Sequence, residues 1–238
     1  MSFDPYEFDR SLGQSQETQG QYTVKTFLWV MLGLLITFGV AMLGWVTNIT
    51  LIALIKFPYI MLVTTIVTLV LAMTMSLRIE KMSVGTATVM FLLFAAVEGC
   101  MMSTVLYVYQ FGSVIFAFLA AALYFGLLAA YGHFTKTDLS GLRPILVSGL
   151  MFMLIFWVLS MFIPGFGAMD RIMCLVGIAL FLGYTAYDTQ KIKAYYQYYS
   201  GYPDMLAKAS IFSALQLYLD FINLFLYLLR FLGKARRN

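Results

Sequence analysis

Ala214-Leu-Gln-Leu-Tyr-Leu-Asp220-Phe-Ile-Asn-Leu-Phe-Leu-Tyr-Leu-Leu-Arg230 decides what kind of protein this is. Between its end residues Asp220 is the sole charge, and the surrounding run over 209–229 is long and apolar enough to cross a bilayer, which takes roughly 20 residues. A charge at that depth costs roughly 3 kcal/mol on translocon scales, so an acid found there marks a functional site by default. Gln216 and Asn223 stand at i−4 and i+3 from Asp220 and extend a polar stripe on one helical face. Such a stripe belongs toward the interior of a helical bundle.

The rest of the chain repeats the apolar pattern. Of its 238 residues 62% are hydrophobic and only 11% charged, where soluble domains carry about 25% charged residues. Seven spans are expected, over 24–46, 57–77, 84–107, 113–134, 144–162, from about 172, and from about 205. Pro58 opens the second near its first turn, and Pro164-Gly165 closes the fifth. The expected organisation is a polar tail over 1–22, a seven-helix transmembrane domain over 23–233 and a basic tail over 234–238. Short connections make successive spans antiparallel neighbours. Cys100 and Cys174 fall inside apolar spans and read as packing residues. The net charge of +4 follows loop topology and implies no nucleic-acid partner; the partner that composition implies is the bilayer, and no cofactor is expected.

Lysine and arginine counts set the orientation. Nine of them (Arg10, Lys25, Arg78, Lys81, Lys136, Arg143, Lys191, Lys193 and Lys208) fall on the face of the amino terminus, and the opposite loops hold only Lys56 and Arg171. The amino terminus is therefore expected in the cytoplasm. The last four bases, Arg230, Lys234, Arg236 and Arg237, conflict with a seventh crossing. Two readings stay open: seven spans, or a last segment that re-enters and returns.

Three of the chain's 11 acids lie inside apolar runs: Glu98, Asp188 and Asp220. If the turn between spans six and seven centres on Tyr202, Asp188 and Asp220 differ in depth by only about 6 Å at 1.5 Å rise per residue. Close carboxylates in a dry site cannot both ionise cheaply, so they are expected to titrate as one unit. When ionised they offer the hard oxygens that suit Ca²⁺. Arg78, at the end of span two, falls on the same face as the end of span six, where its guanidinium can pair with Asp188 and latch the bundle. Other readings stand beside these. Asp188 can pair with Lys191 at i+3, Asp220 can be a structural hydrogen-bonding acid, Glu98 can bond across helices or line the same pathway, and Arg78 can be a plain interfacial anchor.

The segments Gly183-Tyr-Thr-Ala-Tyr-Asp188-Thr-Gln-Lys-Ile192 and 214–230, with the loop Thr135-Lys-Thr-Asp-Leu-Ser140, resemble the signatures of the transmembrane Bax inhibitor motif family. The resemblance covers most of 22–233. It implies a seven-helix bundle with the last helix central, and a pH-dependent calcium leak governed by two aspartates that match Asp188 and Asp220. It also implies a latching arginine that matches Arg78, here with Glu80 two residues on. Members of that family are further linked to restraint of a membrane protease or of cell death without ion conduction. An enzyme is not expected: intramembrane aspartyl proteases resemble Gly-x-Gly-Asp at their second acid, where this chain has Leu217-Tyr-Leu-Asp220.

Overall fold

The computed structural model describes residues 17–160, 162–163 and 169–236. Seven helices are long and apolar enough to cross a membrane: α1 Gln19–Val46, α2 Ile60–Arg78, α3 Val84–Val108, α4 Phe111–Phe134, α5 Arg143–Ser160, α6 Asp170–Tyr199 and α7 Pro203–Leu232. Among the described residues the one strand-like feature is an isolated bridge between Tyr109 and Ala235. The architecture is the expected all-α membrane bundle.

Local chemistry explains where the helices begin. Thr18 and Gln21 form a reciprocal capping box, so α1 starts at Gln19 and its first turns are helical. The polar tail expected to reach residue 22 therefore ends sooner, and Tyr22 is fully buried core. Residues 1–16, and the expected break at Pro164-Gly165, lie outside the described residues. Ser83 caps α3 by accepting from the Thr86 amide. Pro203 sits in the first turn of α7, where its missing N–H costs nothing. Pro58 does not open α2; the helix begins two residues later, after a turn, at Ile60.

The connection from α1 to α2 is not a plain loop. Ile49–Lys56 forms a short helix with no buried residue, entered through Asn48 in the left-handed region (φ 55°). Asparagine tolerates that conformation better than most residues. The apolar, uncovered helix suits the membrane interface.

The last helix is central. In α7 67% of the apolar window is buried, against 11–50% in the other six. Helices α1, α2, α3, α4 and α6 pack directly on it, while α5 leans on α6. The outer faces of α1, α2 and α5 keep large apolar side chains such as Leu35, Leu62 and Ile155 uncovered, which is the surface a bilayer requires. Close helix approach depends on small residues, as in other membrane bundles. A Cβ on Gly99 would lie 2.7 Å from the Thr37 carbonyl oxygen, and one on Gly132 would collide with the backbone of Ala186.

The re-entrant reading of the last segment is overturned. Helices α6 and α7 have 30 residues each, roughly 45 Å at 1.5 Å per residue, which exceeds the bilayer core of about 30 Å. The far end of α7 reaches the start of α6, where the Arg230 guanidinium donates to both carboxylate oxygens of Asp170. Beyond it the chain pairs with the α3–α4 corner: Gln110 N donates to the Lys234 carbonyl and Arg236 N to the Val108 carbonyl. The two ends of the described chain thus lie on opposite faces of the bundle.

Candidate functional site

The α6–α7 hairpin is the most extensive helix pair of the bundle, and it brings two of the expected acids together. Asp188 and Asp220 are 6% and 4% exposed, and they lie within electrostatic reach of each other. Their partners differ. Lys191 Nζ donates to Asp188 Oδ1 at 3.4 Å, so the i+3 pairing is formed. The same ammonium lies over the rings of Tyr187 and Tyr195, at 5.3 and 5.4 Å from their centroids. Tyr184, one turn before Asp188, is also within electrostatic range of both acids.

Asp220 makes no hydrogen bond among the described residues, and its Oδ2 is fully buried. The reading of Asp220 as a structural hydrogen-bonding acid is not what this geometry shows. A buried carboxylate oxygen with no donor is costly, by about 1–3 kcal/mol or more when the group is charged. The Lys191 ammonium lies within electrostatic range of Asp220 as well but does not bond it, so the position asks for a proton on the oxygen or a cation in direct contact with it. Asn223 on the same face is half-buried, but its amide is spent on the Leu219 carbonyl of its own helix (2.8 Å). Gln216 is half-buried on that face and forms no hydrogen bond among the described residues.

Arg78 is not brought to the site. It is exposed and forms no ion pair among the described residues, so the expected contact with Asp188 is absent and the cation found there is Lys191. Glu80, two residues on, does not hold Arg78 either; its carboxylate accepts from the Tyr199 hydroxyl at 3.3 Å.

Glu98 is buried at 8% exposure but lies elsewhere. Its electrostatic neighbour is Tyr218. Tyr218 faces α1 and α3, where its hydroxyl meets Thr37 Oγ1 at 2.6 Å and its ring packs edge-on against Phe91 and Phe94. Tyr218 and Asp220 are two residues apart, about 200° around the helix. Glu98 and the acid pair therefore sit on opposite sides of α7.

Several polar contacts at the site's borders escape a reading of sequence. Gln190 clamps the α4–α5 loop by donating to the Thr137 carbonyl and accepting from the Leu139 amide, both at 2.8 Å. Lys208, 6% exposed, donates to the carbonyls of Glu80 (2.9 Å) and Met82 (3.1 Å) and ties the start of α7 to the α2–α3 corner. Nothing in the local pattern separates these residues from ordinary interfacial polar groups. The Asp170–Arg230 pair is different: hairpin counting about Tyr202 places the two at nearly equal depth, so that signal was present in the chain.

No group of three or more His, Cys, Asp or Glu side chains converges among the described residues. Two carboxylates fall short of the about 6–8 oxygens that a resident Ca²⁺ takes. The arrangement suits brief contact with a cation better than retention of one.

Known proteins are similar to this chain in sequence along most of its length. The family model described as "Inhibitor of apoptosis-promoting Bax1" matches residues 19–237. A protein of Borreliella burgdorferi is 37% identical over 161 residues, 67% of this chain and 68% of its own length. The Escherichia coli inner membrane protein YbhL is 33% identical over 235 residues, 98% of this chain and 100% of its own. A Rickettsia prowazekii protein is 33% identical over 222 residues, 91% of this chain and 90% of its own. With matches to both acid-bearing helices and the whole bundle around them, this chain belongs to the Bax inhibitor-1 family of membrane proteins.

Proposed function

We propose that the protein is a pH-sensitive calcium leak of a bacterial inner membrane, with its amino terminus in the cytoplasm and no catalytic role for its acids. The observation that carries this reading is the pair of buried acids on the central hairpin, of which Asp188 is paired with Lys191 while Asp220 Oδ2 has no hydrogen-bond donor among the described residues. A carboxylate in that position exchanges between a protonated form and a form that needs a cation beside it. Protons and Ca²⁺ then compete for the same oxygens, which gives a flux that depends on pH. In this reading Asp188 and Asp220 are the sensor and pathway, with Gln216 and Asn223 on the same face. Lys191 competes with the permeant ion for Asp188. Arg78, exposed at the end of α2, serves as the latch only in a conformation that carries it to Asp188.

The test is Ca²⁺ flux into proteoliposomes as a function of pH. Wild-type protein is expected to leak with a pH-dependent rate, and Asp220→Asn to lose that dependence. Flux unchanged in the Asp188→Asn/Asp220→Asn double variant sinks the proposal. No flux from well-folded wild-type protein, together with a co-purifying membrane protease, supports the non-conducting regulator instead.

A further inference from the structure

A second site lies on the opposite side of α7 from the acid pair and toward the carboxyl-terminal face. A cavity of about 330 Å³ opens between α1, α3 and α4, with Phe225 of α7 at its back. That volume falls within the roughly 300–1,000 Å³ of small-ligand sites. Every side chain lining it is apolar.

Two aromatic braces create the gap. Phe38 of α1 meets Phe118 of α4 edge-on at 4.7 Å, and seven residues along each helix Trp45 stacks on Phe111 at 5.9 Å. Between the braces the facing residues are Ala41 and Met42 on α1 and Val114 and Ile115 on α4. The buried pair Ala41 and Val114 is too small to close the space that the rings hold open. The floor is buried (Ala41, Val114, Leu106), whereas the rim residues Leu35, Ile115 and Leu119 are exposed on the lipid-facing surface. The slot therefore opens sideways into the bilayer. From Phe111 to Leu119 it runs about 12 Å along α4, against about 15 Å for the hydrocarbon of one leaflet.

The mouth of the slot is basic. The α3–α4 corner, from which two of its walls descend, is crossed by the chain that follows α7. Gln110 N donates to the Lys234 carbonyl, Lys234 N to Ser113 Oγ, and Arg236 N to the Val108 carbonyl. These bonds hold the backbone of Lys234 and Arg236 over the corner and leave both residues exposed. Asp170 is the sole acid on this face among the described residues, and Arg230 already holds it.

We propose that this slot binds one acyl chain of an anionic phospholipid, with the lipid phosphate at Lys234 and Arg236. An apolar slot one leaflet deep with a basic mouth matches a lipid that has both an acyl chain and a net negative headgroup. A zwitterionic lipid satisfies the slot but not the mouth. The site is independent of the calcium reading, because neither Asp188 nor Asp220 lines the slot.

Native mass spectrometry of the full-length protein in detergent, titrated with dioleoyl phosphatidylglycerol or dioleoyl phosphatidylcholine, tests this. Wild-type protein is expected to retain the anionic lipid at least roughly fivefold better. Lys234→Gln/Arg236→Gln, a change confined to exposed residues, is expected to bring the two lipids near parity. Ala41→Phe, which fills the slot, is expected to reduce retention of both. In case Ala41→Phe does not fold, quenching by chain-brominated phosphatidylglycerol in a Trp29→Phe/Trp157→Phe background, which leaves Trp45 as the sole tryptophan, reads occupancy beside Trp45, and it should exceed that by the brominated choline lipid. Equal retention of both lipids, an unchanged preference in the Gln variant, or an apolar protein segment found in place of lipid overturns the proposal.

Discussion

At the residue scale the site is defined by unequal partnership. Asp188 has Lys191, and Asp220 has no hydrogen-bond donor among the described residues. The Asp188 side chain is 7% exposed and that of Lys191 27%, so the pair is partly dry. Removing one member of such a pair leaves an uncompensated charge, which costs more than the pair is worth. Lys191→Gln is expected to destabilise the protein by about 1–3 kcal/mol. Adding Asp188→Asn should restore most of that loss. Thermal unfolding of the two single variants and the double variant measures it; simple additivity of the losses would show that the contact carries no energy. A second acid serves as a control on pH effects. Asp138, in the α4–α5 loop, accepts from the Ser140 amide and hydroxyl, and these bonds, the amide first, hold its carboxyl below the ordinary carboxylate range. A depressed value in the folded state means that its contribution is present above the unfolded value and is lost only as pH falls through the folded one. Asp138 therefore stays ionised through neutrality, and Asp138→Asn should leave the pH profile of Ca²⁺ flux between pH 5 and 8 unchanged. A moved profile would relocate the sensor to this loop.

At the element scale the hairpin could be read from the chain, and the cross-bundle contacts could not. Sequential helices share a turn, and counting from Tyr202 fixes relative depth, so Asp188 could be matched to Asp220 without coordinates. The same count finds Asp170 and Arg230. Thr37 and Tyr218 meet across α1 and α7, which no short connection registers, and a threonine that bonds its own i−4 carbonyl gives no sign of a distant partner. The helix Ile49–Lys56 was hidden because eight residues are too few to register as a span. Arg78 shows the limit of parity: it places a residue on a face of the membrane but not around the circumference of the bundle. The approach of α4 to α6 gives a test of packing. A Cβ on Gly132 meets the Ala186 backbone, two residues before Asp188, and backbone cannot swing aside. Gly132→Ala should cost about 1–3 kcal/mol by overpacking, despite the helix propensity gained. Gly126→Ala on the same helix meets nothing within 4 Å and should be neutral or stabilising by up to about 1 kcal/mol. Equal melting temperatures for the two variants would mean that α4 and α6 do not approach this closely.

At the scale of the whole molecule the question is which way the bundle faces. Seven crossings put Arg230, Lys234, Arg236 and Arg237 with Lys56 and Arg171, which raises that face to six basic residues against nine on the other. The contrast is weaker than the loops alone suggested, but its sign holds, and the first helix usually dominates orientation. Lys25 near the start of α1 is on the richer side, where Glu17 pairs with it at 3.3 Å and the Glu17 carbonyl accepts from Tyr196 at 2.7 Å. The Tyr196 contact also fixes the start of α1 to the late turns of α6, so the amino-terminal face and the α6–α7 turn are one face. Gly201, in that turn, has open space around it, and Lys234 is exposed on the other side. In a Cys100→Ala/Cys174→Ala background, Lys234→Cys should react in intact cells with a maleimide that cannot cross the inner membrane, and Gly201→Cys should react only after lysis. Labelling of both in intact cells would mean that the last helix does not cross. The reverse pattern would keep the seven-helix bundle and invert it, placing the Asp188 end of the hairpin away from the cytoplasm and requiring that any calcium leak sense the pH of the other compartment.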